Sequence, residues 1–166
     1  MAYHADSAEL TRKEVLTWEL FGTASRELAQ EIVDSGFEPE IIIAIARGGL
    51  VPAGALSYAL GIKLNDTMNV EFYTDVNETL PDPILLEPLL DEKSIAGHKL
   101  LLVDDVADSG RTLALALKLL EQQGAEVRSA CLFAKSRSEI TPDYVWKHTD
   151  EWIVFPWSEK PPVTAK

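Results

Sequence analysis

Only one cysteine, Cys131, occurs in the 166 residues. No internal disulfide can form, and the composition fits a reducing compartment. Cys131 lies in the apolar run Ala130-Cys131-Leu132-Phe133 with no histidine beside it, which reads as a buried, inert thiol. Basic residues are scarce: 15 Lys and Arg stand against 27 Asp and Glu, a formal net charge of −12. A general nucleic-acid binder needs a basic footprint, so that class is excluded. A small anionic ligand is not excluded, because local amides and metal ions hold such ligands. No apolar stretch approaches the ~20 residues of a membrane span. Residues Met1 to Asp6 offer neither the basic region nor the apolar core of a signal peptide. A cytoplasmic protein with no membrane and no nucleic-acid partner is expected. Internal repeats and low-complexity tracts are absent as well.

What is present suits a single globular domain over 1–166. Hydrophobic residues make up 46% and charged residues 25%, and a chain of this length buries a core without staples. Val15, Leu16, Leu20, Ala24, Leu28, Ile32 and Val33 recur at helical spacing, so the pattern predicts a helix over 11–35, opened by a Thr11/Glu14 capping box. The β-branched run 41–46 predicts a strand buried on both faces. A helix over 50–60, strand-like residues near 67–73, a buried strand over 99–103, a helix over 111–123, a strand over 127–134 and a short strand over 151–155 follow. Residues 74–96 hold Pro81, Pro83 and Pro88 and many acids. They read either as a flexible loop or flap tied to function or as a solvated excursion. Residues 158–166, with Pro161 and Pro162, read as a loose tail. Alternating strands and helices predict an α/β fold with a mainly parallel central sheet, whose ligands bind beyond the carboxyl ends of the strands.

Two motifs lie at such ends. The first is residues 100–112, LLLVDDVADSGRT. A strand ends in two carboxylates, Asp104 and Asp105, and a third, Asp108, opens a turn of small residues that feeds a helix. The turn Asp108-Ser109-Gly110-Arg111-Thr112 presents backbone N–H groups at a helix N-terminus, an anion site fit for a phosphate monoester. Gly110 lets the backbone approach closely, and the Ser109 and Thr112 hydroxyls add donors. Ionised Asp104 and Asp105 accept only, which suits the two adjacent donors of a ribose diol. A carboxylate pair at a strand end also serves Mg²⁺ in phosphotransfer and receiver domains, and a Ser-Gly-Arg-Thr turn can be a plain helix cap. The second motif is Ala46-Arg47-Gly48-Gly49. It reads as a tight turn, or as amides and a permanent cation aimed at an oxyanion.

The 13-residue run resembles the phosphoribosyl pyrophosphate (PRPP) motif of the type I phosphoribosyltransferases. Further blocks extend the resemblance: Thr17-Trp18-Glu19, ARGGLVPAGAL, Phe133-Ala134-Lys135 and the segment Asp150 to Trp157 fall in the order of the xanthine-guanine and hypoxanthine branch. The resemblance implies the family fold, with a small hood built from the terminal segments. It implies a salvage enzyme joining a 6-oxopurine to PRPP, with Mg²⁺ as cofactor. PRPP would be held by Asp104, Asp105, Asp108, Ser109, Gly110, Arg111 and Thr112. Arg47, Gly48 and Gly49 would form the pyrophosphate loop, with a cis peptide at Ala46–Arg47. Lys135 would meet the 6-oxo group, Trp152 would stack on the base, and the Ile153 backbone would reach its edge. By themselves Lys135 reads as a solvated lysine and Trp152 as core. Asp108, Arg47 and Lys135 are the catalytic candidates and Asp105 the metal ligand. A homodimer or homotetramer is implied. Two alternatives share these motifs: a PRPP-binding regulator without transferase activity, and an enzyme for another base. The family's lid commonly carries a Ser-Tyr pair; here the segment reads Val70-Glu71-Phe72-Tyr73-Thr74, with Tyr73 but no serine. Arg111 stands where many relatives have lysine or glycine.

Overall fold

The computed structural model describes residues 12–71, 74–75, 78–79, 84–86 and 94–165, with side chains for 12–70 and 94–165. Its main sheet has six strands: β2 (Ile41–Ala46), β3 (Leu64–Glu71), β6 (Ile84–Leu86), β7 (Lys99–Ala107), β8 (Glu126–Ala134) and β9 (Tyr144–His148). They lie in the order β6-β3-β2-β7-β8-β9. Every pairing is parallel except that of β6 with β3. Three helices cover the sheet: α1 (Trp18–Asp34), α2 (Leu50–Leu60) and α3 (Arg111–Gln122).

The near-continuous apolar character of β2 and β7 is explained by burial on both faces. Ile42, Ala44, Leu101 and Val103 pack with Leu28 and Ile32 of α1 and Ala53 and Leu56 of α2. Ile41, Ile43, Ile45, Leu100 and Leu102 pack with Leu113, Ala116, Leu117 and Leu120 of α3. Alternate residues of one strand thus serve two cores, as the strand period of two dictates. The parallel strands point the same way, so their carboxyl ends gather along one edge, as the sequence leads one to expect. Cys131 is fully buried, and burial pushes its thiol up.

Two expectations need correction. The first helix begins later than the pattern suggested. Thr11 lies outside the described residues, and Glu14 sits in a strand, β1 (Lys13–Val15). The true cap is Thr17, whose Oγ1 accepts from the Leu20 amide at 3.1 Å. The buried stripe is Phe21, Ala24, Ser25, Leu28, Ala29 and Ile32, while Leu20 and Val33 are exposed. The sequence pattern names no strand over 144–148, yet β9 lies there: Tyr144 is its one buried residue, so this edge strand carries little apolar signal. β10 (Trp152–Val154) pairs in parallel with β1 in a sheet of its own, bringing the two terminal segments together as the implied hood requires. The other correction concerns the span 74–96, which holds short strands: β4 (Thr74–Asp75) pairs with β5 (Glu78–Thr79), and β6 extends the main sheet. Phe72 and Tyr73, the lid candidate, lie outside the described residues. From Pro161 to Ala165 the chain carries no helix or strand.

One buried polar node ties β8 to β9. Ser129 is 1% exposed, and its amide and hydroxyl both donate to Asp143 Oδ2, at 2.7 and 3.1 Å. Asp143→Ala leaves both donors without that acceptor, which costs about 1–3 kcal/mol. Thermal melting should show a Tm lower by roughly 3–10 °C, and less in Asp143→Asn, whose amide oxygen still accepts. Melting unchanged in both variants would remove this node from the account of the fold.

Candidate active site

At the end of β2 the peptide Ala46–Arg47 is cis, the geometry that the resemblance implies. Gly49 N donates to Ile45 O at 2.8 Å and Leu50 N to Arg47 O at 3.0 Å, closing a tight turn into α2. The turn lies flat on the end of β7. A Cβ on Gly48 would fall on the Asp105 carboxylate, and one on Gly49 would strike the backbone carbonyls of Val103 and Ile45. Two glycines are therefore a steric requirement. Arg47 itself is exposed.

β7 runs on to Ala107, so Asp104 and Asp105 belong to the strand, which is longer than the 99–103 read from sequence. Beyond it a cavity of about 80 Å³ is lined by Asp104, Val106, Asp108, Ser109, Gly110 and Thr112, among others. Gly110 caps α3 with φ of 79°, a left-handed conformation that glycine adopts without cost. A Cβ there would also crowd Ser138 and Ile140. The Arg111 amide donates to Ser109 Oγ at 3.4 Å. The first-turn amides of α3 have no intrahelical acceptor and open onto this end of the helix. Asp108 is exposed and accepts from both Nε and Nη2 of Arg137 through one oxygen, Oδ1.

Asp104 and Asp105 retain some exposed surface, yet protein atoms crowd their carboxyl groups. Loss of hydration pushes Asp104 well above the usual carboxylate range, with the neighbouring charge of Asp105 adding to the rise. Asp105 is raised too, chiefly by burial, while its hydrogen bonds oppose the rise. The Asp105 amide donates to Asp104 Oδ1 at 2.9 Å. These oxygens are hard, acceptor-only donors to a metal. Among the described residues no group of three or more His, Cys, Asp or Glu side chains gathers to hold one. The pair therefore suits a cation that takes most of its ligands from substrate and water, the habit of Mg²⁺.

A second group assembles around β10. Lys135, just past β8, donates its amide to Ala107 O at 2.9 Å and its ammonium to Glu151 O. Ser136 donates its amide and hydroxyl to Asp150, at 2.8 and 2.9 Å to Oδ1. Those bonds hold the Asp150 carboxyl below its ordinary value. Together they tie the Lys135 turn to the entry of β10. Trp152 is 67% exposed and is not core, whereas Ile153 packs on the core. Both line a larger cavity, of about 460 Å³, with Lys13, Val15, Ser158 and Glu159. The structure brings Gly48 against Asp105 and Gly49 against the Val103 carbonyl, and Lys135 against the start of β10. Among the described residues, the Asp108–Thr112 turn and Trp152 line different cavities.

Three neighbours escaped the sequence reading. Arg137 could have been suspected from its place two residues after Lys135. Lys13 and Glu159 gave no signal, because neither lies in a motif and only the pairing of β1 with β10 brings Lys13 to Trp152.

Comparison with known proteins agrees with this geometry. The chain is 32% identical over 148 residues to a xanthine-guanine phosphoribosyltransferase of Gluconobacter oxydans, covering 88% of this chain and 84% of that protein. It is 32% identical over 159 residues to the protein of the same name from Idiomarina loihiensis, covering 95% and 91%. A purine phosphoribosyltransferase structure from Pyrococcus horikoshii superposes with a TM-score of 0.78 at 34% identity, covering 93% of this chain and 99% of that one. The family model for the phosphoribosyl transferase domain matches residues 11–163, and the chain belongs to that family.

Proposed function

We infer that this chain is a purine phosphoribosyltransferase that joins a 6-oxopurine (xanthine, guanine or hypoxanthine) to PRPP, giving a nucleoside 5′-monophosphate and pyrophosphate. One observation carries the reading. The Arg47-Gly48-Gly49 turn is pressed onto Asp105 at Gly48, so a turn carrying a cation and the Gly48 amide stands beside carboxylates that suit a ribose. The leaving group and the sugar of one substrate would meet there.

In the reaction the bond from ribose C1 to pyrophosphate breaks and a bond from C1 to a purine ring nitrogen forms. Amides of the Asp108–Thr112 turn hold the 5′-phosphate, with the Ser109 and Thr112 hydroxyls donating. Asp104 and Asp105 accept from the ribose diol. Arg47 and the Gly48 amide stabilise charge on the departing pyrophosphate. Mg²⁺, when bound at Asp105 directly or through water, would supply further charge neutralisation on those oxygens. Asp108 takes the proton from purine N7. Arg137 occupies only Oδ1, which leaves Oδ2 for that proton. Lys135 donates to the 6-oxo group, Trp152 stacks on the ring, and the Ile153 backbone meets the base edge. An ammonium donor at C6 disfavours adenine, whose 6-amino group is itself a donor. The enzyme would work in the cytoplasm as a homodimer or homotetramer. Among the described residues no helix is long and apolar enough to cross a membrane.

A spectrophotometric assay with PRPP, Mg²⁺ and each of hypoxanthine, guanine, xanthine and adenine tests the reading. Turnover of an oxopurine with adenine inert is expected; turnover of adenine alone would overturn the base assignment. Asp108→Asn should cut kcat by about 10²–10⁴-fold with PRPP affinity retained in calorimetry, and unchanged turnover would remove Asp108 as the base. Asp104→Asn should separate function from stability. The raised carboxyl opposes folding wherever the unfolded chain is ionised, that is, above the ordinary carboxylate range, and the penalty vanishes once both states are protonated. The variant should therefore melt at a higher temperature than the wild type at neutral pH and show no such gain in strong acid, while binding PRPP more weakly. A lower Tm at neutral pH would contradict this.

A further inference from the structure

The cavity beside β10 holds more than the two residues to which the sequence pointed. β1 and β10 run parallel in register, with Lys13 opposite Trp152 and Val15 opposite Val154. In-register neighbours on adjacent strands point to the same face. Lys13, Val15, Trp152 and Val154 accordingly share one face, and all four line the cavity of about 460 Å³. Glu14 and Ile153 take the other face, where Glu14 accepts from Lys147 Nζ at 2.7 Å and the Ile153 side chain meets the core, although Ile153 also borders the cavity. The cavity is large enough for a bicyclic base. Of the residues lining it, Lys13 carries the positive charge and Glu159 the negative one.

Resting on the reading of Trp152 as the platform for the base, we propose that Lys13 is a specificity-determining residue that favours a purine with oxygen at C2. Lys135 is tied to Glu151 O and so fixes the 6-oxo edge at the entry of β10. C2 lies beyond N1 on the same ring, and a base stacked on Trp152 turns that edge along the hood, where Lys13 stands one strand away. A 2-oxo group is an acceptor for the ammonium. A 2-amino group is a donor, and the bare C2 of hypoxanthine offers nothing. Xanthine also loses a ring proton more readily than guanine, and its anion gains further from a nearby cation.

Glu159 pulls the other way, since a carboxylate suits a 2-amino group. Order decides between them. Lys13 belongs to a strand whose continuation is bonded to β10, with Leu16 N donating to Val154 O at 3.0 Å. Glu159 follows the last turn and lies in neither helix nor strand. A side chain carried on backbone already held in place leaves less to be ordered on binding than one in an irregular segment, so Lys13 prevails.

The test is calorimetric titration of the whole chain with xanthosine, guanosine and inosine 5′-monophosphates. Lys13→Met, which keeps the apolar stem, should lower the ratio of xanthosine to inosine nucleotide affinity by roughly fivefold to tenfold. Lys13→Arg should restore most of it, and Glu159→Gln should shift the balance away from the guanosine nucleotide. Equal weakening of all three nucleotides by Lys13→Met, or an unchanged ratio, overturns the proposal. Trp152→Leu separates this from the reading beneath it. If that variant binds all three like the wild type, the platform reading fails. If it weakens all three while Lys13→Met leaves the ratio alone, only the Lys13 assignment fails.

Discussion

The contact of the Gly48–Gly49 turn with the end of β7 is the constraint on which the rest of the site depends. A backbone that must lie against the Asp105 carboxylate and the Val103 carbonyl has no room for any side chain. That contact sets where α2 begins, because the helix starts straight from the turn. It also crowds Asp105 and so helps to raise its carboxyl. Steric fit and electrostatics are thus one fact seen twice. The closeness that places a turn of amides beside the carboxylates is also what makes those carboxylates reluctant to ionise without a cation. Sites that trade stability for chemistry in this way are common, since perturbed groups cluster where function requires them.

Much of this was legible in the sequence, and for identifiable reasons. The buried strands β2 and β7 announce themselves as β-branched and leucine runs, and each is followed by residues with a single geometric use. Arg47-Gly48-Gly49 and Asp108 to Thr112 needed no long-range information, because a turn of amides at a helix start is a local structure. Trp152 and Lys135 were harder: nothing within a few residues of either shows that they meet at the entry of β10. Order along the chain, through the family resemblance, supplied what local pattern could not.

What stayed hidden depended on pairing between distant segments. The helical spacing of Val15 and Leu16 with later residues concealed a strand, because three residues of β1 carry no signal strong enough to compete with the helix beside them. β9 was invisible because an edge strand with one buried side chain looks like a loop. Arg137 sits on Asp108 only once the β8 turn folds back over α3, where Glu139 N donates to Ser109 O at 2.9 Å. Each miss is a case of tertiary contact deciding what propensity left open.

The parallel pairing of β1 with β10 has a consequence in time. β1 precedes every other described element and β10 follows all of them. On a ribosome the first strand emerges long before the one it must join. Until then its exposed edge, with Val15 53% exposed even in the folded chain, has no partner within the chain. The six-stranded sheet has all its strands before β10 appears. Among the described residues, the cavity beside Trp152 is therefore completed after the main sheet, and it closes by a pairing of very long sequence separation, a slow kind to form.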